Sequence, residues 1–286
     1  MKTAIVTDSN SGIFGSEARA LGIHVVPMPI IIDGHTFYEN ENLTAGDFYD
    51  ALISGRDTGS SQPSPASLFD IWDVALQDAD ELVYIPMSSG LSGSCNTATA
   101  LSDEYENKVQ VVDNHRISVT LRGAVDHACK LAAEGKSALE IKEILEEDSR
   151  RSSIYLAVET LKYFKKTGRI TPATALIGDI LSIKPILYSD GDTFEAVAKV
   201  RGLSKARQAL IDMIKRDREV KFKDYPDKDI WIMGSGSFVD KADAESWLKE
   251  VTEAFPGYDI MYDPLSLSIA CHTGPNAFGA GIMLKH

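Results

Sequence analysis

Three cysteines in 286 residues are too few, too scattered and odd in number for a disulfide framework. Cys95, Cys129 and Cys271 fit a reducing compartment, so a cytoplasmic protein is expected. Basic charge is also scarce: 29 Lys and Arg face 42 Asp and Glu, for a net charge of −13. A chain this acidic, with no basic tract, is not built to hold nucleic acid and makes at most transient membrane contact. Long hydrophobic runs are missing. The longest apolar stretch, Val25 to Ile32, is too short to span a bilayer and contains Pro27 and Pro29. The N-terminus runs directly into a strand pattern at Ala4, without the apolar region or cleavage site of a signal peptide. Nucleotide motifs are lacking as well. After Asp8 the chain reads Ser-Asn-Ser-Gly-Ile-Phe-Gly, which is neither Gly-x-Gly-x-x-Gly nor a Walker A loop. No clustered metal ligands occur, and Cys271-His272 is an isolated pair. Neither a cofactor nor a metal is therefore expected.

What is present is the composition of a globular protein, 44% hydrophobic and 25% charged, long enough for one large or two moderate domains. Strand and helix patterns alternate through the first half. Ala4–Thr7 ends at Asp8, Leu82–Ile85 is an apolar run, and Val109–Val112 ends at Asp113. Helical stripes lie between them, and Ser137 with Glu140 makes a capping-box pattern. Asp33-Gly34 has hairpin-turn chemistry. This alternation implies a mostly parallel α/β sheet. A polar break at Ser149–Ser153 marks a boundary, giving units 1–150 and 151–286. The second unit is more mixed. Ile183–Tyr188 and Phe194–Val200 flank Asp190-Gly191-Asp192 as a hairpin, and further strands start at Ile154, Ile230, Ile260 and Phe278. A second α/β domain with mixed strand directions is expected.

The most informative segment is Ser88-Ser89-Gly90-Leu91-Ser92-Gly93-Ser94, between a buried strand and a helical pattern. Ser92 is a suitable N-cap there. Free backbone N–H groups, hydroxyls and the positive end of a helix dipole suit one small anion. The glycines let backbone approach it closely. In a parallel sheet, loops at the strands' carboxyl ends meet at a common edge. Two other polar segments can join this one, Ser60-Ser61-Gln62-Pro63-Ser64 and His272-Thr273-Gly274-Pro275-Asn276. Arg169 and Arg201 each adjoin a glycine, where a guanidinium can clamp a carboxylate or phosphate. Each segment alone has an ordinary structural explanation: a capped helix, an entry turn, a solvated histidine, a surface arginine. A serine hydrolase needs a nucleophile elbow of the Gly-x-Ser-x-Gly type, and neither Gly90–Ser94 nor Gly234–Ser237 has that spacing. Ser92 or Ser89 with His272 as base remains the alternative, a lipid esterase.

Taken in order along the chain, these segments resemble the DegV family of bacterial fatty-acid-binding proteins. The resemblance runs from Ile5-Val6-Thr7-Asp8-Ser9 through Ser60–Ser64, Ile85–Ser94 and Val111-Val112-Asp113. It continues through Gly168-Arg169-Ile170, Ile183–Leu187, Lys199–Gly202 and His272–Pro275. It implies a two-domain DegV-like α/β fold with a long-chain fatty acid buried in an apolar tunnel between the domains. It further implies a carrier without catalysis of its own, monomeric, that presents the carboxylate to a separate ATP-binding fatty acid kinase for conversion to acyl phosphate in phospholipid metabolism. The ligand-binding positions implied are Ser61, Ser89, Ser92, Gly93, His272 and Thr273. Arg169 and Arg201 match arginines linked to the acyl-phosphate end or the kinase contact. One departure is Asn276, where the family often has a second glycine. Asn tolerates left-handed backbone better than most residues, so the turn is expected to survive.

Overall fold

The computed structural model describes residues 2–177 and 182–285. The first part of the chain supplies seven strands: β1 (Thr3–Asp8), β2 (His24–Val26), β3 (Ile30–Ile32), β4 (His35–Phe37), β5 (Thr58–Ser60), β6 (Glu81–Ile85) and β7 (Val109–Val111). Four of them form a parallel sheet in the order β2-β1-β6-β7. Every residue of β6 is buried, as a central parallel strand covered on both faces requires. The other three form a small antiparallel sheet, β4-β3-β5. The apolar run Val25–Ile32 is thus divided between two sheets. Pro27 and Pro29 fall in the gap, where a residue without an N–H does no harm to a ladder. Asp33 and Gly34 both have positive φ, 49° and 81°, the two-residue turn that hairpin twist favours.

The second part supplies β8 (Ser152–Ala157), β9 (Ile183–Ser189), β10 (Glu195–Arg201), β11 (Ile230–Gly236), β12 (Asp259–Pro264) and β13 (Phe278–Leu284). They form one mixed sheet, β10-β9-β8-β13-β11-β12, in which only β11 and β12 run parallel. The chain is mixed α/β, with one parallel sheet and one mixed sheet.

Several boundaries differ from the sequence expectation. β8 begins at Ser152, with Ser152 and Ser153 buried, so two of the residues taken as a polar break belong to a strand. Arg201 closes β10 instead of following it. The helix after the serine loop starts at Ser94, with Gly93 in the cap position and no side-chain cap bond. Ser92 Oγ still accepts the Ser94 N–H at 3.2 Å, from one residue before the cap position. The capping box at Ser137 and Glu140 forms with both of its bonds. Gly168, at φ 72°, stops the helix Lys162–Thr167.

The serine loop also corrects the expected use of its glycine. A Cβ on Gly90 would lie 2.6 Å from the Gly191 carbonyl oxygen and 2.8 Å from the Asp192 Cα. Gly90 makes room for the β9–β10 turn of the other half, not for a ligand. Ser88 Oγ donates to the same Gly191 carbonyl, and Gly191 in turn would place a Cβ 2.3 Å from the His115 carbonyl oxygen. The seam is backbone against backbone. A large core beside it draws on both halves, with Ile5, Ile85 and Leu121 from one and Leu156, Leu187 and Phe194 from the other.

Candidate functional site

A cavity lies between the two sheets. Its walls are mainly apolar and include Met28, Leu91, Ile117, Leu156, Phe164 and Ile269. From the first half it takes loops after β1, β2, β5 and β6. From the second it takes residues of β8, β11 and β13 and the helix Leu267–Thr273. That helix was not foreseen. His272 and Thr273, read as a turn, are its last residues, and Gly274 at φ 76° ends it. Asn276 takes φ 57°, the left-handed conformation expected of it.

Several polar groups gather around His272. Ser60 Oγ lies 2.8 Å from His272 Nε2, a contact across 212 positions of sequence. Burial above all, and then the charge of Arg169, pushes the His272 imidazolium down to about 4, so the ring is neutral near pH 7. Its Nδ1 is buried with no hydrogen-bond partner. If Nε2 accepts the Ser60 proton, Nδ1 carries the ring N–H and offers it to an acceptor. An anionic oxygen selects that tautomer. Arg169 is fixed nearby: its Nε donates to the Leu91 carbonyl at 3.3 Å and its Nη1 to that of Thr167. Ser61, Gln62, Ser92 and Thr273 also line the cavity. Ser61 is exposed and its hydroxyl donates to the Gln62 carbonyl at 3.2 Å.

Of the positions singled out in the sequence, Ser61, Ser92, Arg169, His272 and Thr273 therefore meet at one cavity. Ser89 and Gly93 do not line it. The Ser89 N–H donates to Asp113 Oδ1 at 3.2 Å, and Gly93 lies beside Gln62. Arg201 is exposed at the far end of β10, roughly 20 Å along that strand from Phe194 of the cavity wall. Ser60 was passed over in favour of its neighbour. The alternation of side chains along a strand could have raised it, because β5 turns successive residues to opposite faces.

Asp8 and Asp113 serve loop geometry. Asp8 Oδ1 accepts the Asn10 N–H at 2.9 Å and Oδ2 the Met87 N–H at 2.8 Å. Its complete burial outweighs these bonds and raises its carboxyl to about 6. No group of three or more potential metal ligands exists among the described residues. None of the described helices is long and apolar enough to cross a membrane.

The comparisons with known proteins agree along the whole length. A family model described as "Uncharacterised protein, DegV family" matches residues 2–285. A DegV domain-containing protein of Deinococcus radiodurans is 34% identical over 217 residues, covering 76% of this chain and 77% of its own. One from Staphylococcus aureus is 30% identical over 287 residues, covering 99% of both. Among solved structures, a DegV family protein from Thermus thermophilus described by its fatty acid binding superposes with a TM-score of 0.88. It has 28% identity and covers 99% of this chain and 100% of its own. The fatty acid binding DegV family protein from Streptococcus agalactiae gives 0.85 at 26% identity, with 100% of both chains covered. With its parallel sheet, its mixed sheet and a family match over nearly every residue, this chain belongs to the DegV family.

Proposed function

We propose that this protein binds one long-chain fatty acid, with the acyl chain in the cavity between units 1–150 and 151–286. The carboxylate faces Ser60, Ser61, Ser92, His272 and Thr273. The observation that carries this is the neutral His272, its Nδ1 unpartnered beside the Ser60 hydroxyl in the wall of a mainly apolar cavity. A carboxylate drawn out of water needs several donors. The His272 Nδ1–H and the Ser92 hydroxyl, whose proton has no protein acceptor among the described residues, supply them, Ser60 holds the imidazole in that tautomer, and the Arg169 charge is close by. The relatives from Thermus and Streptococcus, described as fatty acid binding, support the same ligand class. Ser89 and Gly93, expected at the ligand, are assigned to the loop that positions Ser92. Native mass spectrometry with lipid extraction tests the proposal. A protein that carries no lipid and takes up no added fatty acid would sink it.

The esterase alternative gains one observation, the Ser60–His272 contact. A base with its imidazolium near 4 is a weak one, however, and His272 Nδ1 lacks the carboxylate partner that orients the base of a triad. Ser92 Oγ, the nucleophile first considered, is taken up by the Ser94 N–H. Binding without turnover is the function put forward, and ester hydrolysis by the pure protein that vanishes in Ser60→Ala would reverse it.

The same proposal extends to a partner. The bound carboxylate attacks the γ-phosphorus of ATP held on a separate fatty acid kinase. The bond from that phosphorus to the bridging oxygen breaks, ADP leaves, and the acyl phosphate stays here. Arg169, at the cavity, is the residue proposed to meet the added charge, and Arg201 is proposed as part of the docking surface. Arg169→Ala should slow phosphorylation in a reconstituted assay. The scarcity of cysteines, all of them free, fits a cytoplasmic carrier.

A further inference from the structure

A second cleft lies beyond the carboxyl ends of β11 and β12, the parallel pair of the mixed sheet, where open α/β sheets commonly hold ligands. Its volume is about 580 Å3, enough for a small molecule. Among the described residues Leu265 alone borders both this cleft and the cavity of His272. The walls come from both parts of the chain. Phe14 follows β1, Glu39 follows β4, and Tyr49 lies on the helix Ala45–Ile53. Phe238 follows β11 and Tyr262 lies on β12. Tyr49 is buried and the other three rings are half-buried, so part of each stays open to a ligand.

Glu39 is the group that packing does not account for. Its Oε2 accepts the Leu267 N–H at 2.7 Å, and Leu267 also lines the cleft. Oε1 has no hydrogen-bond partner, and the carboxylate no ion-pair partner, among the described residues. A carboxylate withdrawn from water is ordinarily paired. The other charged side chains of the wall, Lys241 and Glu245, are exposed and pair with each other at 3.7 Å. Burial first, and then the nearby Glu39 and Tyr262 groups, push the Tyr49 phenol up, so these three side chains lie in one another's field. Glu39 would repel an anion, and a neutral apolar molecule would leave it unpaired. A metal ion asks for several oxygen ligands, and no group of three potential metal ligands exists among the described residues. An organic cation meets both features of the wall. Aromatic faces attract it through their quadrupole, and a free carboxylate oxygen accepts its N–H.

We propose that this cleft binds a small organic cation, a protonated primary amine on an apolar body, with the ammonium donating to Glu39 Oε1 and the four rings packed about the body. The proposal does not depend on the fatty-acid assignment. Its test titrates phenethylamine, benzylamine and hexylamine, all protonated near about pH 7, into the whole protein by calorimetry, beside the matching alcohols. At least one amine should bind about ten-fold or more tightly than its alcohol, the worth of a hydrogen bond to a charged group. The preference should fall toward unity in Glu39→Gln, whose amide oxygen can still accept from Leu267. Tyr262→Leu should weaken the amine several-fold, and Tyr262→Phe should keep its binding. Stearic acid should leave amine binding unchanged. The proposal fails if no amine shows saturable binding, if amine and alcohol bind alike, or if the preference survives in Glu39→Gln. It fails equally if Tyr262→Leu binds the amine as the parent does. Displacement of the amine by stearic acid would overturn it too, since the amine would then occupy the cavity of His272.

Discussion

Residues 3–111 reach the cavity through loops and turns at the ends of strands, whereas residues 152–284 reach it partly through the face of a sheet and partly through the helix Leu267–Thr273 and the segments around Phe164, Arg169 and Phe194. Asn10, Met28, Ser61, Met87 and Ser92 each lie just past a strand of the first part. Ile154, Tyr155, Leu156, Ser235, Gly279 and Ala280 lie within strands of the second. A loop side chain is free of the sheet's packing demands, so a cluster of Ser and Gly there stands out. A strand side chain must first satisfy its neighbours in the sheet. Leu156 in the cavity wall and Leu187 in the core are therefore the same kind of residue in the same kind of pattern. Donors therefore come from loops and element ends in both parts, Ser61 and Ser92 in the first and Arg169 and His272 in the second, and shape comes from the sheet face.

That contrast can be broken most severely at the seam. Gly191→Val would put a branched side chain at φ 113° and against the His115 carbonyl. Strain and overpacking together should cost roughly 2–6 kcal/mol of stability, read by chemical denaturation. A change below about 1 kcal/mol would mean the seam yields. The next largest effect is on affinity. His272→Ala removes a donor to a buried charge and should weaken fatty-acid binding about 10- to 100-fold, measured by titration calorimetry.

A third prediction concerns pH. Burial raises the Glu39 carboxyl from 4.5 to about 7, against the opposing bond from the Leu267 N–H at 2.7 Å. The folded state thus holds a proton that the unfolded chain releases near 4.5. Stability from this group is complete below 4.5 and is lost as pH rises through about 7. Glu39→Gln should flatten the fall in stability between pH 5 and 8 by on the order of 2 kcal/mol. His272, shifted down from 6.5 to about 4, acts with the opposite sign, since its protonation penalises the fold as pH drops through that window. An unchanged slope in Glu39→Gln would show that another group sets it.

Smaller still is the difference between neighbours on β5 and after it. Ser60→Ala should lower affinity about two- to ten-fold and Ser61→Ala less, because only Ser60 holds His272. The reverse order in a binding titration would return the carboxylate contact to Ser61. The smallest effect belongs to Arg201→Ala. Fatty-acid affinity should stay within about two-fold of the parent, since the residue is exposed and outside the cavity. A larger loss in the same titration would bring it into the site.

Local chemistry was the legible part. The Asp33-Gly34 turn, the Ser137–Glu140 box and the Gly168 stop are each decided by residues within a few positions of one another. The parallel alternation in the first part was legible for the same reason. Ser92 and His272 were found as members of polar segments, yet their partners were not. The use of Gly90 depends on a turn about a hundred residues away, and the choice of Ser60 over Ser61 depends on which face of β5 meets His272. The helix Leu267–Thr273 was hidden because it is short and buried almost all round, so no periodic polar face betrays it. Ser118 and Ser235, whose hydroxyls lie 3.4 Å apart in the cavity wall, gave no signal at all, since a serine paired to another serine far away in sequence resembles any other.

The place of β13 bears on how the protein is made. Phe278–Leu284 lies at the centre of the six-stranded sheet, bonded on one side to β8 and on the other to β11. The parallel sheet has all its strands once residue 111 has left the ribosome, and domains commonly fold as they emerge. The mixed sheet has no middle until residue 284 is made, well over a hundred residues after β8. Until then β8 and β11 expose unpaired edges, and Gly279 and Ala280 are not yet there to close the cavity. During synthesis, the nascent chain therefore passes through an interval in which the cavity loops of the first part are built and the rest of the cavity, His272 included, is not. That interval is when chaperones have the most edge to cover.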